Sequence, residues 1–360
     1  MIPKIFKKNN RKTCFAVIDP GSYEISAVAA EWGPNGEYCI HGTARGDSRN
    51  IRKGIVTDAR VATESVAEVL SRLAERSGCR IREVYSGVSS PSIKLIPSHG
   101  MVLLSKYGRE VTEKDVRDSV RIASALRLPL DTETIHRVVK GFSIDGEFGI
   151  KNPLDLDGVK LGADVNVVTI NSSALRNLAK CISEAGYIPG GFILSAHALS
   201  RRMLRPEDRQ CGVVLLDVCD RITTALYYKE DILSGCKAVP NGLDEVMLPD
   251  GTIDEARLLS IAGCVRTVPD WDKATRMIVT GDGAMNESLI EGLEKIFPCP
   301  VGAGTLLVKP FEELPPETIS YAGPLGILDC LREEKLSGST GMNPIKAYWN
   351  RAMRFMERYF

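Results

Sequence analysis

One pattern occurs twice in this chain: an apolar strand ending at an aspartate, a tight turn, and a second apolar strand. The first copy is AVIDPGSYEISAV, whose turn holds Asp19, Gly21 and Ser22. The second is GVVLLDVCDRITTALYY, in which Asp217 takes the place of Asp19. Short apolar runs bounded by turn residues predict strands. We therefore predict an α/β protein of two related lobes.

The residues between the two copies divide into segments of different texture. An amphipathic helix ends at Gly78 and a charged helix begins at Thr112, whereas 141–158 is loop-rich and shows no catalytic arrangement. These segments predict the following division of the chain. Lobe 1 is predicted at 13–86 and 168–205, an inserted subdomain at 87–167, lobe 2 at 206–335, a flexible linker at 336–343, and an amphipathic helix at 344–360.

Composition excludes several classes of protein. The chain has 360 residues, 44% of them hydrophobic, and a formal net charge of +0, which argues against a nucleic-acid-binding protein. Its ten cysteines form no CxxC pair, which favours reduced thiols and the cytosol. The four histidines share no ligand spacing, so no metal site is predicted. Neither a secretory signal nor a membrane-spanning run is predicted.

The last residues form an amphipathic pattern, with Asn343 as the predicted cap and Pro344 in the first turn. Aromatic and aliphatic side chains share one helical face, and basic ones lie opposite. The predicted membrane-binding residues are Ile345, Lys346, Tyr348, Trp349, Arg351, Met353, Arg354, Phe355, Met356, Arg358, Tyr359 and Phe360. Because a polar, Gly/Ser-rich stretch precedes them, we predict a helix lying in the plane of an anionic membrane. A closing helix docked on the core and a calmodulin-target-like helix remain alternatives.

These segments together resemble FtsA, the bacterial cell-division protein of the actin/Hsp70/sugar-kinase superfamily. The segment AVIDPGSYEISAV, which holds Asp19, resembles the first phosphate loop of the family. The segment GDSRNIRKGIVTD is similar to the one that leads into the first long helix. HRVVKGFSIDGEFGIKNPLDLDGVKLGADVNVV resembles the FtsA-specific subdomain 1C, and MIVTGDGAMNESLIEGLEKIFPCPV the adenosine-side loop. The tail is similar to the membrane-targeting helix of FtsA. The resemblance implies a bilobed actin-like ATPase fold with an inserted 1C (SHS2-like) subdomain.

The same resemblance implies a nucleotide site, with ATP and Mg²⁺ as its cofactors. Its candidate residues are Asp19, Gly21, Ser22, Asp217, Thr223, Gly281 and Gly283. Without a ligand, the aspartates and Ser22 are ordinary turn or cap residues, and the two later glycines serve a tight turn. No catalytic residue is predicted.

Several residues depart from the family pattern. The second loop is normally Asp-x-Gly-Gly-Gly-Thr-Thr, but here Cys219, Asp220 and Arg221 replace its glycines. Tyr23 and Asp282 likewise stand where smaller residues are usual. Backbone N–H groups need glycine to approach phosphates closely, so we predict a weakened or lost site. The 2B subdomain, which covers adenine and receives the tail of FtsZ in FtsA, is predicted to be truncated to about 242–274.

The predicted function is a peripheral adaptor at the cytoplasmic face of the inner membrane, at the division site. It would tether FtsZ-like filaments, bind divisome proteins through 1C and self-associate, with weak or no ATP turnover. The alternatives are a PilM-like adaptor of pilus assembly and an active ATPase or kinase of the same superfamily. The tail argues against the first of these, and the lost glycines argue against the second.

Overall fold

The computed structural model of the chain describes residues 12–307 and 320–336. The predicted membrane helix and all but the first residue of its linker lie outside these ranges. The strands are β1 (Thr13–Pro20), β2 (Glu24–Trp32), β3 (Tyr38–Asp47), β4 (Ile51–Arg52), β5 (Ile55–Val56), β6 (Arg80–Val88), β7 (Lys94–Leu103), β8 (Arg109–Glu110), β9 (Thr132–Ile144), β10 (Glu147–Ile150), β11 (Asp157–Gly158), β12 (Lys160–Asn171), β13 (Ile188–Leu194), β14 (Val213–Val218), β15 (Thr223–Lys229), β16 (Ile232–Val239), β17 (Arg276–Thr280) and β18 (Val301–Ala303).

The helices of the described residues lie between or after groups of these strands. They are α1 (Ala59–Ser77), α2 (Glu113–Ala123), α3 (Ser172–Glu184), α4 (Ser195–Met203), α5 (Pro206–Cys211), α6 (Leu243–Val246), α7 (Glu255–Arg266), α8 (Glu287–Ile296) and α9 (Ala322–Leu336), with short 3-10 turns at Trp271–Lys273 and Asp282–Met285. No helix within 12–307 or 320–336 is both long and apolar enough to cross a membrane.

Lobe 1 is built on a five-stranded sheet in the order β13-β6-β1-β2-β3. Helix α1 packs on one face through Val66, Leu70 and Leu73, which recur at helical spacing and are all buried. Helices α4 and α9 cover the other face, where Phe15 and Leu328 belong to one cluster. The sequence division assigns α9 to lobe 2, but its buried side chains pack against the lobe 1 strands. An apolar run shows that a helix is buried, but not which sheet it packs against.

The inserted subdomain pairs β7, β12, β9 and β10 into an antiparallel sheet, and α2 packs on it. A capping box fixes the start of α2, where Thr112 and Asp115 exchange hydrogen bonds. The stretch 141–158, expected from the sequence to be loop-rich, instead begins with a β-hairpin formed by β9 and β10. Its turn residues Asp145 and Gly146 have φ of 52° and 96°. This interpretation was wrong because an Asp-Gly pair favours a hairpin turn even in a polar, glycine-rich stretch.

Lobe 2 has the strand order β16-β15-β14-β17-β18, with α7 and α8 packed on one face. Its edge strand β16 meets β7 at Lys237 and Lys94, so the subdomain and lobe 2 share one nine-stranded sheet. Between β16 and β17 the chain forms α6, α7, one 3-10 turn and an isolated antiparallel bridge between Met247 and Ile253. This is the segment in which the sequence predicts a shortened 2B.

Candidate functional site

Asp19 lies where β1 ends at the cleft between the lobes. Its Oδ1 accepts a hydrogen bond from Ser195 Oγ at 2.7 Å, at the start of α4. Gly87 and Gly323 enclose the same carboxyl group, because a Cβ at either would lie within 2.2 Å of one of its oxygens. Burial raises the pKa of Asp19, and the Ser195 hydrogen bond opposes that shift.

Asp217 occupies the matching position in lobe 2 and is only 2% exposed. Thr280 Oγ1 donates to its Oδ1 at 3.3 Å. Burial, followed by the charges of Asp19 and Asp282, raises the pKa of Asp217 to about 7. The repeated aspartates of the sequence are therefore brought together from two lobes, close enough for the charge of Asp19 to raise the pKa of Asp217.

The other candidate residues surround this pair. Gly21 donates its N–H to Glu24 O at 2.9 Å and closes the turn that also holds Ser22. The Thr223 hydroxyl is buried and donates to Asn241 O at 2.7 Å, so its hydrogen is used within lobe 2. Gly281 has φ 72°, and a Cβ there would lie 2.8 Å from Asp217 Oδ1.

Gly281 and Gly283 let the 3-10 turn Asp282–Met285 press against the second loop. A Cβ on Gly281 would lie 2.7 Å from the carbonyl oxygen of Val218, and one on Gly283 would lie 2.7 Å from the Cβ of Val218. Real Cβ contacts are not this short, so both positions need glycine for packing alone. This tight packing explains the glycines whether or not a ligand binds.

The second loop is a turn closed by the N–H of Cys219, which donates to Ile222 O at 3.0 Å. Burial raises the pKa of Asp282, whereas its own backbone and that of Asp220, which lie near the carboxylate, oppose the shift. A carboxylate of the same chain therefore lies beside loop backbone that, in a phosphate-binding loop, would face the ligand. Burial, with Asp282 and Asp244 nearby, raises the pKa of Asp220 to about 6.

A contact between the two loops was not predicted from the sequence. Arg221 Nη2 donates to Tyr23 OH at 2.7 Å, its guanidinium lies 5.0 Å from the centre of the Tyr23 ring, and Tyr23 OH donates to Asp244 Oδ2 at 2.7 Å. Arg221 Nε also lies 3.3 Å from Asp244 Oδ2. We call Tyr23, Arg221 and Asp244 the cross-cleft triad. A second link joins Lys53 Nζ to Glu245 Oε1 at 3.0 Å.

The sequence did contain a signal for the cross-cleft triad. Tyr23 and Arg221 are both departures from the phosphate-loop pattern, and each was interpreted separately as a loss. Two bulky replacements in facing loops, one aromatic and one a guanidinium, fit a contact between them. In the structure, the replacements form a direct bridge between the lobes.

Comparisons with known proteins agree with this architecture. The family described as the SHS2 domain inserted in FtsA matches residues 91–169. The cell division protein FtsA of Borreliella burgdorferi is 30% identical over 231 residues, which are 64% of this chain and 56% of that protein. The likeness to FtsA is confirmed. FtsA of Pseudomonas aeruginosa is 27% identical over 64% of this chain and 54% of its own length, and FtsA of Escherichia coli K12 is 27% identical over 66% and 56%.

The chain thus spans little more than half the length of the curated relatives it matches. Among solved structures, the PilM–PilN type IV pilus biogenesis complex aligns with a TM-score of 0.55 at 14% identity, covering 89% of this chain and 98% of that one. At this identity the likeness concerns the fold alone. The predicted α/β class, with an actin-like body and an SHS2 insertion, is confirmed.

Proposed function

We propose that this protein acts in bacterial cell division as a peripheral membrane adaptor, with little or no ATP turnover. It would tether FtsZ-like filaments and other division proteins to the cytoplasmic face of the inner membrane. The observation that carries the proposal is the FtsA-type SHS2 segment at 91–169, set within an actin-like body. The similarity to proteins named cell division protein FtsA supports it.

The electrostatics of the cleft favour an adaptor over an enzyme. Asp19, Asp217, Asp220 and Asp282 surround the place where phosphates would bind, and a like-charge contact at ~4 Å costs about 4 kcal/mol at an effective dielectric of 20. Arg221 is held by Tyr23 and Asp244 at the cleft mouth. The cross-cleft triad and the Lys53–Glu245 pair join the lobes, and Lys53 Nζ also donates to the carbonyl oxygen of Pro240. They support a body that stays closed without nucleotide.

We expect Mg-ATP to leave the melting temperature of the purified full chain unchanged. A ligand present at 100 times its Kd would stabilise the fold by about 2.7 kcal/mol, which differential scanning fluorimetry detects as a shift of several degrees. The matched variant carries Asp220→Gly and Asp282→Gly, which remove two carboxylates from the phosphate position. A clear Mg-ATP shift in the unmodified protein, absent with Mg²⁺ alone, would favour the active-ATPase alternative.

The inserted subdomain supports the expected partner contacts. It exposes large apolar side chains, among them Leu103 at 66% and Phe148 at 72% exposure. Phe148 lies on β10, the edge strand of the nine-stranded sheet. An apolar residue on an open strand edge is suited to pairing with a second protein or a second copy. We assign divisome binding and self-association to this edge. The short 242–274 segment implies that contact with a filament differs from that of FtsA.

A PilM-like role in pilus assembly is the second candidate, favoured by the structural likeness to the PilM–PilN complex. We expect a fluorescent fusion of the full chain to form a midcell band in dividing cells. The same fusion without residues 344–360 should lose that band, because the proposed membrane attachment is gone. A polar or evenly distributed signal from the full-length fusion would count against division and for the pilus alternative.

A further inference from the structure

Three metal-ligating side chains that are far apart in sequence meet at the far end of the lobe 1 sheet. They are Cys14 in β1, His41 in β3 and Cys79 just before β6. Each offers one ligand atom, and these atoms all lie within 4.8 Å of one another. Cys14 precedes Asp19 by five residues of one strand, or roughly 16 Å at ~3.3 Å per residue. The group is therefore separate from the cleft.

The sheet itself sets this arrangement. Strands β6, β1, β2 and β3 are neighbours, and the four side chains lie at the same end of the sheet, with Cys79 immediately preceding β6. Cys14 and Cys79 are both buried, at 4% and 2% exposure. The fourth strand of the set, β2, supplies Glu31, whose Oε2 lies 3.0 Å from His41 Nε2.

We propose that this group is a zinc site, with Cys14, Cys79 and His41 as ligands and Glu31 completing it. Zinc in closed protein sites is tetrahedral, with Zn–S of about 2.3 Å and Zn–N of about 2.0 Å, which puts ligand atoms about 3.3–3.8 Å apart. The ligand atoms of Cys14, His41 and Cys79, all within 4.8 Å of one another, need to move only slightly closer together to reach these distances. Two thiolates and an imidazole favour a soft or borderline ion over Mg²⁺.

Glu31 has a role in the site in both possible orientations of the His41 ring. If Nε2 binds zinc, the carboxylate lies within reach as the fourth ligand. If Nδ1 binds, Glu31 holds the opposite nitrogen in the carboxylate–histidine–zinc arrangement that fixes the ring and strengthens the ligand. Lys12 also lies 3.5 Å from Glu31, but its side chain is 66% exposed and free to withdraw to solvent. The site would cross-link four strands that are remote from the cleft.

The test is zinc binding by the full chain, stripped with a chelator under reducing conditions and then titrated against a chromogenic competitor. We expect one equivalent of Zn²⁺ per chain, and Co²⁺ substitution should give thiolate charge-transfer absorption. His41→Gln and Cys79→Ser should weaken binding at least tenfold, and Glu31→Gln by about 10–100-fold. Cys39→Ser is the matched control, because Cys39 is an exposed thiol two residues from His41 on the same strand.

Two results would overturn the proposal. One is zinc uptake no greater than that of a Cys14→Ser, Cys79→Ser double variant. The other is a Cys14–Cys79 disulfide, found by mass analysis of protein alkylated as the cells are lysed. Circular dichroism must first show that each variant is folded. If Cys79→Ser is not, the partly exposed His41 and Glu31 carry the test through their glutamine variants.

Discussion

Removing residues 344–360 should abolish binding of the protein to anionic vesicles. Lys346, Arg351, Arg354 and Arg358 would each contribute about 1 kcal/mol beside anionic lipid. Four such charges amount to about 4 kcal/mol, or nearly a thousandfold in affinity at 1.4 kcal/mol per tenfold. Burial of the aromatic and aliphatic face among the headgroups would add to this. Co-sedimentation with vesicles containing anionic lipid measures the loss directly.

Two substitutions separate the apolar face from charge alone. Trp349→Glu puts a carboxylate on the proposed lipid-facing side, whereas Asn350→Glu adds the same charge to the polar side. We expect the first to release the protein from vesicles and the second only to weaken binding. Raising the salt concentration should also weaken vesicle binding by the unmodified protein, because salt screens the attraction between the basic residues and anionic lipid. Equal pelleting of the full and shortened chains would remove the anchor from the proposed function.

The fold was predictable from the sequence where the signals are local. The strand-turn-strand units around Asp19 and Asp217 can be predicted because strand period and turn residues act over a few positions. The shortened 2B at about 242–274 stays a prediction from residue counting. Helix α9 was placed on the wrong lobe in the sequence division because burial alone does not name the partner sheet. The Asp145–Gly146 turn shows that even a local signal can be overlooked in a polar stretch.

The candidate site was predictable in part. The sequence indicates which residues occupy the loops, and hence that carboxylates replace glycines at Asp220 and Asp282. The replacements at Tyr23 and Arg221 fit a contact, but only the fold shows that these residues, 198 positions apart, bind each other. The group of Cys14, His41 and Cys79 was missed for the same reason. Its spacing follows from sheet order and register, which no short motif encodes.

Asp217→Asn should stabilise the protein most above pH 7, and the gain should shrink steadily as the pH falls toward 4. The folded protein holds the Asp217 proton up to a pKa of about 7, whereas the unfolded chain releases it near its ordinary value of 3.8. Between about pH 4 and pH 7 the unfolded state therefore binds fewer protons, and stability falls as the pH rises. A shift of this size corresponds to about 4 kcal/mol at 1.36 kcal/mol per pKa unit. Asparagine can keep the hydrogen bond from Thr280 and carries no charge.

Thermal unfolding of both proteins from pH 5 to pH 8.5 tests this expectation. The variant should gain several degrees at the alkaline end, and its stability should depend less steeply on pH. Some slope should remain, because the pKa of Asp220 is also raised, to about 6. Asp272→Asn, in an exposed turn, is the matched control and should change neither quantity. A variant less stable than the parent at pH 8 would contradict the prediction. If millimolar Mg²⁺ removed the slope in the parent, Asp19 and Asp217 would be holding a cation, and the cleft would retain more of its ancestral chemistry than we propose.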